Sequence, residues 1–228
     1  MKQPQHFGFP YKIIFLTGVD GSGKTCLAGK LRELLKSRNV PSVHRWSRFN
    51  NYLSKPLLGF TRAIGLNYYE EVNRGRIGYH DFEKSPAIST LFIMLQLIDG
   101  WAANLARFWL PALIKRTVII ADRGPFDTLI DLMVDTKKTE LGKSKRAKLL
   151  FMFIPKPYAI LHIRRSLDNI LRDRPDVKAD RHFYLKQTLY LEYCDFFNIP
   201  YTDNNGSPEN TFKQLILKLN LSKYAEEN

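Results

Sequence analysis

Residues Gly18-Val19-Asp20-Gly21-Ser22-Gly23-Lys24-Thr25 fit the phosphate-loop pattern G-x-x-x-x-G-K-[ST]. Glycines let the backbone curl around an anion and turn its N–H groups inward, and a following helix adds the positive end of its dipole. Lys24 is placed to reach the β- and γ-phosphates of a nucleotide, and the Thr25 hydroxyl to ligate Mg²⁺. The flanks suit this use. Tyr11 to Thr17 is a β-rich apolar run that reads as a buried strand, and Cys26 to Leu35 carries apolar residues at helical spacing. The stretch implies a nucleoside-triphosphate site, with ATP and Mg²⁺ as cofactors. Gly18, Gly21, Ser22, Gly23, Lys24, Thr25 and Cys26 are its expected contacts. Cys26 otherwise reads as a small buried helix residue, not a nucleophile.

A second set of residues stands where strands end, the place at which open α/β sheets bind ligands. The β-branched run Thr117-Val118-Ile119-Ile120-Ala121 delivers Asp122-Arg123 at its carboxyl end, and Asp122 suits Mg²⁺ or its water, so Thr25 and Asp122 form the expected metal pair. Asp127 and Asp131 lie four apart on one face of the next helix, as acceptors for a substrate's hydroxyl or base or as a solvated edge. After the strand Ser42 to Trp46, Arg45 and Arg48 are placed to hold an anionic group, or to lie on the surface. Residues 172–181 put Arg172, Arg174, Lys178 and Arg181 around Pro175, which reads as a mobile basic lid able to close over a triphosphate, or as a solvated turn partly neutralised by its three aspartates.

The elements that must carry these groups are five strands, over 11–17, 42–46, 117–121, 158–163 and 199–203, alternating with helices. That order predicts a doubly wound parallel sheet flanked by helices, in one domain over 1–228. Residues 51–85 carry helical pieces and several aromatics, and read either as the wall of a base pocket or as an irregular helical insertion. A long amphipathic helix is expected from Pro86 to Lys115, with Leu91, Leu95, Ile98, Ala102, Leu105 and Trp109 on its core face and Pro111 near its end. A Ser166-capped helix precedes the lid, and a helix from Arg181 to Phe197 follows it.

Composition bounds the class. Apolar content of 44% and charged content of 25% are globular, and two cysteines form neither a disulfide framework nor a zinc set, which points to a reducing cytoplasm. The longest uncharged apolar run stops at Asp99, too short to span a bilayer, so no membrane anchor is expected. The net charge of +13 suits a nucleic-acid surface or a site for polyanionic small molecules. The Lys- and Arg-rich stretch 137–148 holds no stacking aromatics, which favours a solvated face over a nucleic-acid partner. The five histidines are scattered without ligand spacing.

Together these pieces resemble the thymidylate kinases and their nucleoside-monophosphate-kinase relatives. The resemblance rests on Gly18 to Thr25 with Asp20 inside the loop, on Pro111-Ala112-Leu113 followed by Ile119-Ile120-Ala121-Asp122-Arg123, and on the arginine-rich lid before Asp180-Arg181. It implies a phosphate-loop fold and phosphoryl transfer from ATP to a monophosphate, dTMP foremost. In that reading Asp20, Lys24, Asp122, Arg123, Arg172 and Arg174 act in catalysis, with Arg123 holding the acceptor phosphate. Ser22 stands where some members carry a catalytic arginine, which the lid arginines would replace. Where the family contacts thymine, this chain has Gly124, Asp127, Asp131 and Leu132, and Trp101 stands in place of an arginine. A nucleoside, sugar or other hydroxyl acceptor is the alternative enzyme reading. An ATP-binding, nucleic-acid-associated protein without turnover is the alternative outside enzymes. The long helix equally suits an isologous dimer.

Overall fold

The structure, a computed structural model, describes residues 9–47, 51–72, 75–114, 117–152 and 154–225. In chain order its first half holds β1 (Ile13–Thr17), α1 (Lys24–Ser37), β2 (Ser42–Trp46), α2 (Lys55–Ala63), β3 (Asn67–Val72), β4 (Gly75–His80), α3 (Pro86–Asn104) and α4 (Leu110–Ile114). The second half holds β5 (Val118–Asp122), α5 (Pro125–Thr136), α6 (Lys145–Met152), β6 (Tyr158–Arg164), α7 (Leu167–Asp173), α8 (Phe183–Phe196), β7 (Tyr201–Asp203), α9 (Pro208–Lys218) and α10 (Ser222–Ala225).

Five strands form one sheet in the order β2-β5-β1-β6-β7, and each pairing is parallel. Strands buried on both faces read as continuous apolar runs, and β1 and β5 are buried along their whole length. Alternate side chains serve the two faces. Ile14, Leu16, Ile120 and Leu161 pack on α1 and α9 through Leu27, Leu31, Leu215 and Ile216. Ile13, Phe15, Ile119 and Ala121 meet Phe108 and Ala112 on the opposite side, where α5 and α8 build the larger core around Phe126, Leu129 and Tyr190. Register brings the chemistry to one edge. Leu16 and Trp46 both align with Asp122, and Thr17 aligns with His162, so four strands end together beside the phosphate loop.

Three expectations change. The segment over 51–85 is not wholly helical: after α2, β3 and β4 pair as an antiparallel hairpin with Tyr68 opposite Tyr79. Residues 68–72 read Tyr-Tyr-Glu-Glu-Val, which puts aromatic and acidic residues on both faces and so lacks the alternation that marks a strand. The long helix does not run unbroken either, since Leu105–Trp109 is a π-turn between α3 and α4. Pro111 has no N–H for the carbonyl of Arg107 and its ring crowds that carbonyl, so the ladder widens just before it.

The face of that helix is also reversed. Phe92, Ile93, Leu97, Ala103 and Phe108 are buried, whereas Leu91, Ile98 and Leu105 from the expected core stripe are exposed. Both faces are apolar, so periodicity alone points to the wrong one. Pro86–Ala112 is long and apolar enough to cross a membrane by length and composition, with 44% of its most apolar window buried in the fold. The basic stretch is a charged surface: Lys137 pairs with Glu83 at 2.7 Å, and Lys143 with Glu140 at 3.2 Å.

Candidate functional site

The phosphate loop runs from the end of β1 into α1 with Gly18, Gly21 and Gly23 at positive φ. Two of these positions are crowded as well as left-handed. At Gly18 a Cβ would stand 2.7 Å from the Ile163 carbonyl, and at Gly23 it would land on the Asn204 side-chain nitrogen. Asn204 binds the loop from outside, its Nδ2 donating to Ser22 O at 2.8 Å while its Oδ1 accepts from Thr211 Oγ1 at 3.1 Å. Inside the loop, Lys24 Nζ donates to Gly18 O at 2.9 Å and Val19 O at 2.8 Å. Burial, then the nearby Arg123 charge, draws its pKa down to about 8.

Thr25 and Asp122 meet across the sheet, the Thr25 hydroxyl donating to Asp122 Oδ2. One hydroxyl and one carboxylate make too small a set to enclose a cation, and among the described residues no group of three or more His, Cys, Asp or Glu side chains does so. That donor set fits Mg²⁺, which keeps waters and takes one or two protein oxygens plus phosphate oxygens.

Arg123 follows at φ 74°, a backbone conformation that costs a bulky residue strain and recurs at functional sites. Its buried guanidinium pairs with Asp20 and lies 3.7 Å from Asp127 Oδ1. Burial opposes its charge, yet Tyr190 and the carboxylates of Asp20, Asp127 and Asp131 outweigh that, so it is held protonated. Asp127 is fully buried and accepts from Tyr190 Oη at 2.7 Å and from Gly124 N at 2.8 Å. Burial raises its pKa against the pull of Arg123 and Lys24. The solvated-edge alternative for Asp127 and Asp131 is excluded, since both are buried.

The segment expected to be a lid is the end of α7 followed by a 3₁₀ turn, Pro175–Ala179, with Ile170 and Val177 in the core. It sits on the loop: Ile170 lies beneath Gly21, and Arg165 donates to Gly21 O at 3.1 Å while pairing with Asp173. Arg174 reaches the loop's cavity and pairs with Asp176 at 2.7 Å. Arg172 does not line that cavity; it extends into solvent beside Asp173 at 3.3 Å.

Two cavities open here. The first, about 300 Å³, is lined by the phosphate loop with Asp122, Arg123 and Arg174. The second, about 290 Å³, lies between β4, α5 and α8, with Tyr79, His80, Asp131, Asp135, Asp180 and Lys186 on its walls. Trp46, 60% exposed, lines both.

Of the residues expected at the site, Asp20, Gly21, Gly23, Lys24, Thr25, Cys26, Asp122, Arg123 and Arg174 come together around the first cavity, and Asp131 faces the second. Gly18 and Ser22 complete the loop through their bonds to Lys24. Cys26 is exposed there, against the reading of a buried helix residue. Arg45 is exposed and lines neither cavity; Arg48 lies outside the described residues. Trp101 is held elsewhere, its indole N–H donating to Leu149 O at 2.9 Å. Sequence reasoning missed Trp46, Arg165 and the Asn204 clamp. Trp46 had a signal, being the last residue of its strand, one alternation from Arg45 and so on the opposite face. Compared with known proteins, the sequence matches no protein-family model and no curated protein.

Proposed function

We propose that this chain transfers the γ-phosphoryl group of ATP, as the Mg²⁺ complex, to a small acceptor on a phosphate-loop, doubly wound fold. The observation that carries the reading is the bond between Thr25 and Asp122, a loop hydroxyl and a strand-end carboxylate, beside Lys24. When bound, Mg²⁺·ATP supplies the phosphoryl group and a leaving group with neutralised charge. Thr25 and Asp122 are the residues that would hold the metal. Lys24 and Arg174 would oppose the charge that develops on the phosphoryl oxygens, and the loop amides would position it. The 3₁₀ turn and Arg165 would keep the loop closed against water.

The resemblance suggests a nucleoside monophosphate as acceptor, dTMP foremost. A nucleoside, sugar or other hydroxyl acceptor is the second reading, favoured by the engagement of Arg123 with Asp20 and Asp127 at the wall of the first cavity. The test is nucleotide binding by calorimetry together with ADP release, for the wild type and for Lys24→Ala and Asp122→Asn. Lys24→Ala is expected to abolish transfer and Asp122→Asn to remove the Mg²⁺ dependence of binding. Normal turnover by Lys24→Ala would sink the assignment.

A further inference from the structure

We propose that the second cavity takes an acceptor bearing hydroxyl groups and no phosphate, of the sugar or nucleoside class, and presents one hydroxyl to the phosphate loop. This rests on the phosphotransferase reading and specifies what is phosphorylated.

The lining decides the class. Asp131 and Asp135 face the cavity from α5, and Asp180 faces it from the turn before α8. Lys186 is the lysine among its described lining residues, with Nζ 2.9 Å from Asp180 Oδ2, and His80 Nδ1 lies 2.8 Å from Asp135 Oδ2. His182 adds no charge near neutral pH, because burial and then the Arg181 charge lower its pKa. Among the described residues no arginine lines this cavity. Arg181, between the lining residues Asp180 and His182, turns to Asp81 at 2.7 Å and lies over the Tyr79 ring. A phosphomonoester needs cationic donors, and a lining of three carboxylates whose one described lysine is already engaged by Asp180 repels it. Ionised carboxylates only accept hydrogen bonds, so their natural partners are hydroxyl and amino donors. Trp46 and Tyr79 add aromatic walls on which a ring can lie.

The cavity also connects to the transfer site. Trp46 is common to both, and Asp131 stands one helical turn beyond Asp127, which lies 3.7 Å from Arg123 in the lining of the first. Asp131 is therefore the carboxylate through which α5 links the second cavity to the first. There the acceptor oxygen bonds to the γ-phosphorus while the bond from that phosphorus to the bridging oxygen breaks. The nucleoside diphosphate leaves with that electron pair, and the hydroxyl proton passes to Asp131.

The test uses matched probes on the full chain: thymidine with dTMP, cytidine with CMP, guanosine with GMP, and glucose with glucose 6-phosphate. Binding is read by calorimetry and ATP consumption in parallel. At least one unphosphorylated member is expected to bind tenfold or more tighter than its phosphate and to be the member consumed. Asp131→Asn and, as the less buried second variant, Asp135→Asn are each expected to shrink that preference severalfold. Preference for a phosphate member overturns the proposal, as does an unchanged preference in both variants. Binding of ATP·Mg²⁺ with no uptake of any pair also overturns it, leaving the donor site standing. Failure to bind ATP at all removes the phosphotransferase reading itself.

Discussion

Asp99 on α3 is fully buried and gathers the chain at the start of α2. Its Oδ2 accepts from Tyr52 N at 3.0 Å, Ser54 N at 3.0 Å and Ser54 Oγ at 2.6 Å, and its Oδ1 from Leu53 N at 2.7 Å. Asp99→Ala removes all four bonds. Ser54 is itself fully buried, so its N–H is left without an acceptor, which costs about 1–3 kcal/mol. Tyr52 and Leu53 are half exposed and can turn to water, and Ser54 Oγ keeps Asn51 Oδ1 at 3.1 Å. Adding the lost bonds to a charged acceptor brings the expected total to about 3–5 kcal/mol. Asp99→Asn separates the terms. An amide oxygen in the place of Oδ2 keeps three bonds and gives up the one to Leu53, at a cost of about 1 kcal/mol. In thermal unfolding these correspond to drops of about 6–20 °C and about 2–4 °C. Urea unfolding of both variants checks the ratio. Equal losses for Asn and Ala, or a loss below about 1 kcal/mol for Ala, refute the reasoning.

Gly23→Ala is expected to weaken ATP binding and destabilise the fold by about 1–3 kcal/mol, since the new Cβ meets Asn204 at a left-handed φ of 97°. Asn204→Ala in the same chain should restore part of that loss; strictly additive unfolding energies would disprove the clash. His162 is buried with Nδ1 unpartnered, stacked on Tyr190 at 5.7 Å, and burial and then the Arg164 charge lower its pKa to about 3. A depressed histidine pKa gives stability that is full above the unfolded value near 6.5 and lost as pH falls toward the folded one, about 2 kcal/mol by pH 5. His162→Leu should therefore flatten the loss of stability between pH 7 and 5, whatever its cost at pH 7; parallel curves would contradict this.

How much could be read in advance depends on where each constraint acts. The central strands β1 and β5 were legible because parallel strands buried on two faces leave unbroken apolar runs, such as Val118 to Ala121. The loop was legible because its backbone conformations demand glycine at fixed positions. The hairpin was not, because Tyr68 to Val72 mixes aromatic and acidic residues and packs one face only. The α3 stripe misled because both of its faces are apolar, and spacing cannot tell a core face from an exposed one.

Asp127 and Asp131 mark the limit within the site. Four residues apart, they share a helix face and the sequence offers them as a pair. In the structure Asp127 turns to Gly124, Tyr190 and Arg123 and holds the arginine that follows β5 in place. Asp131, one turn on, faces the second cavity with Asp135 and with Asp180 from another element. Helical periodicity gives a residue's direction from its axis but not what stands opposite. Here β4 and α8 stand opposite, and with Tyr79, His80 and Lys186 they set Asp131 at the wall of the second cavity, while Asp127 positions Arg123.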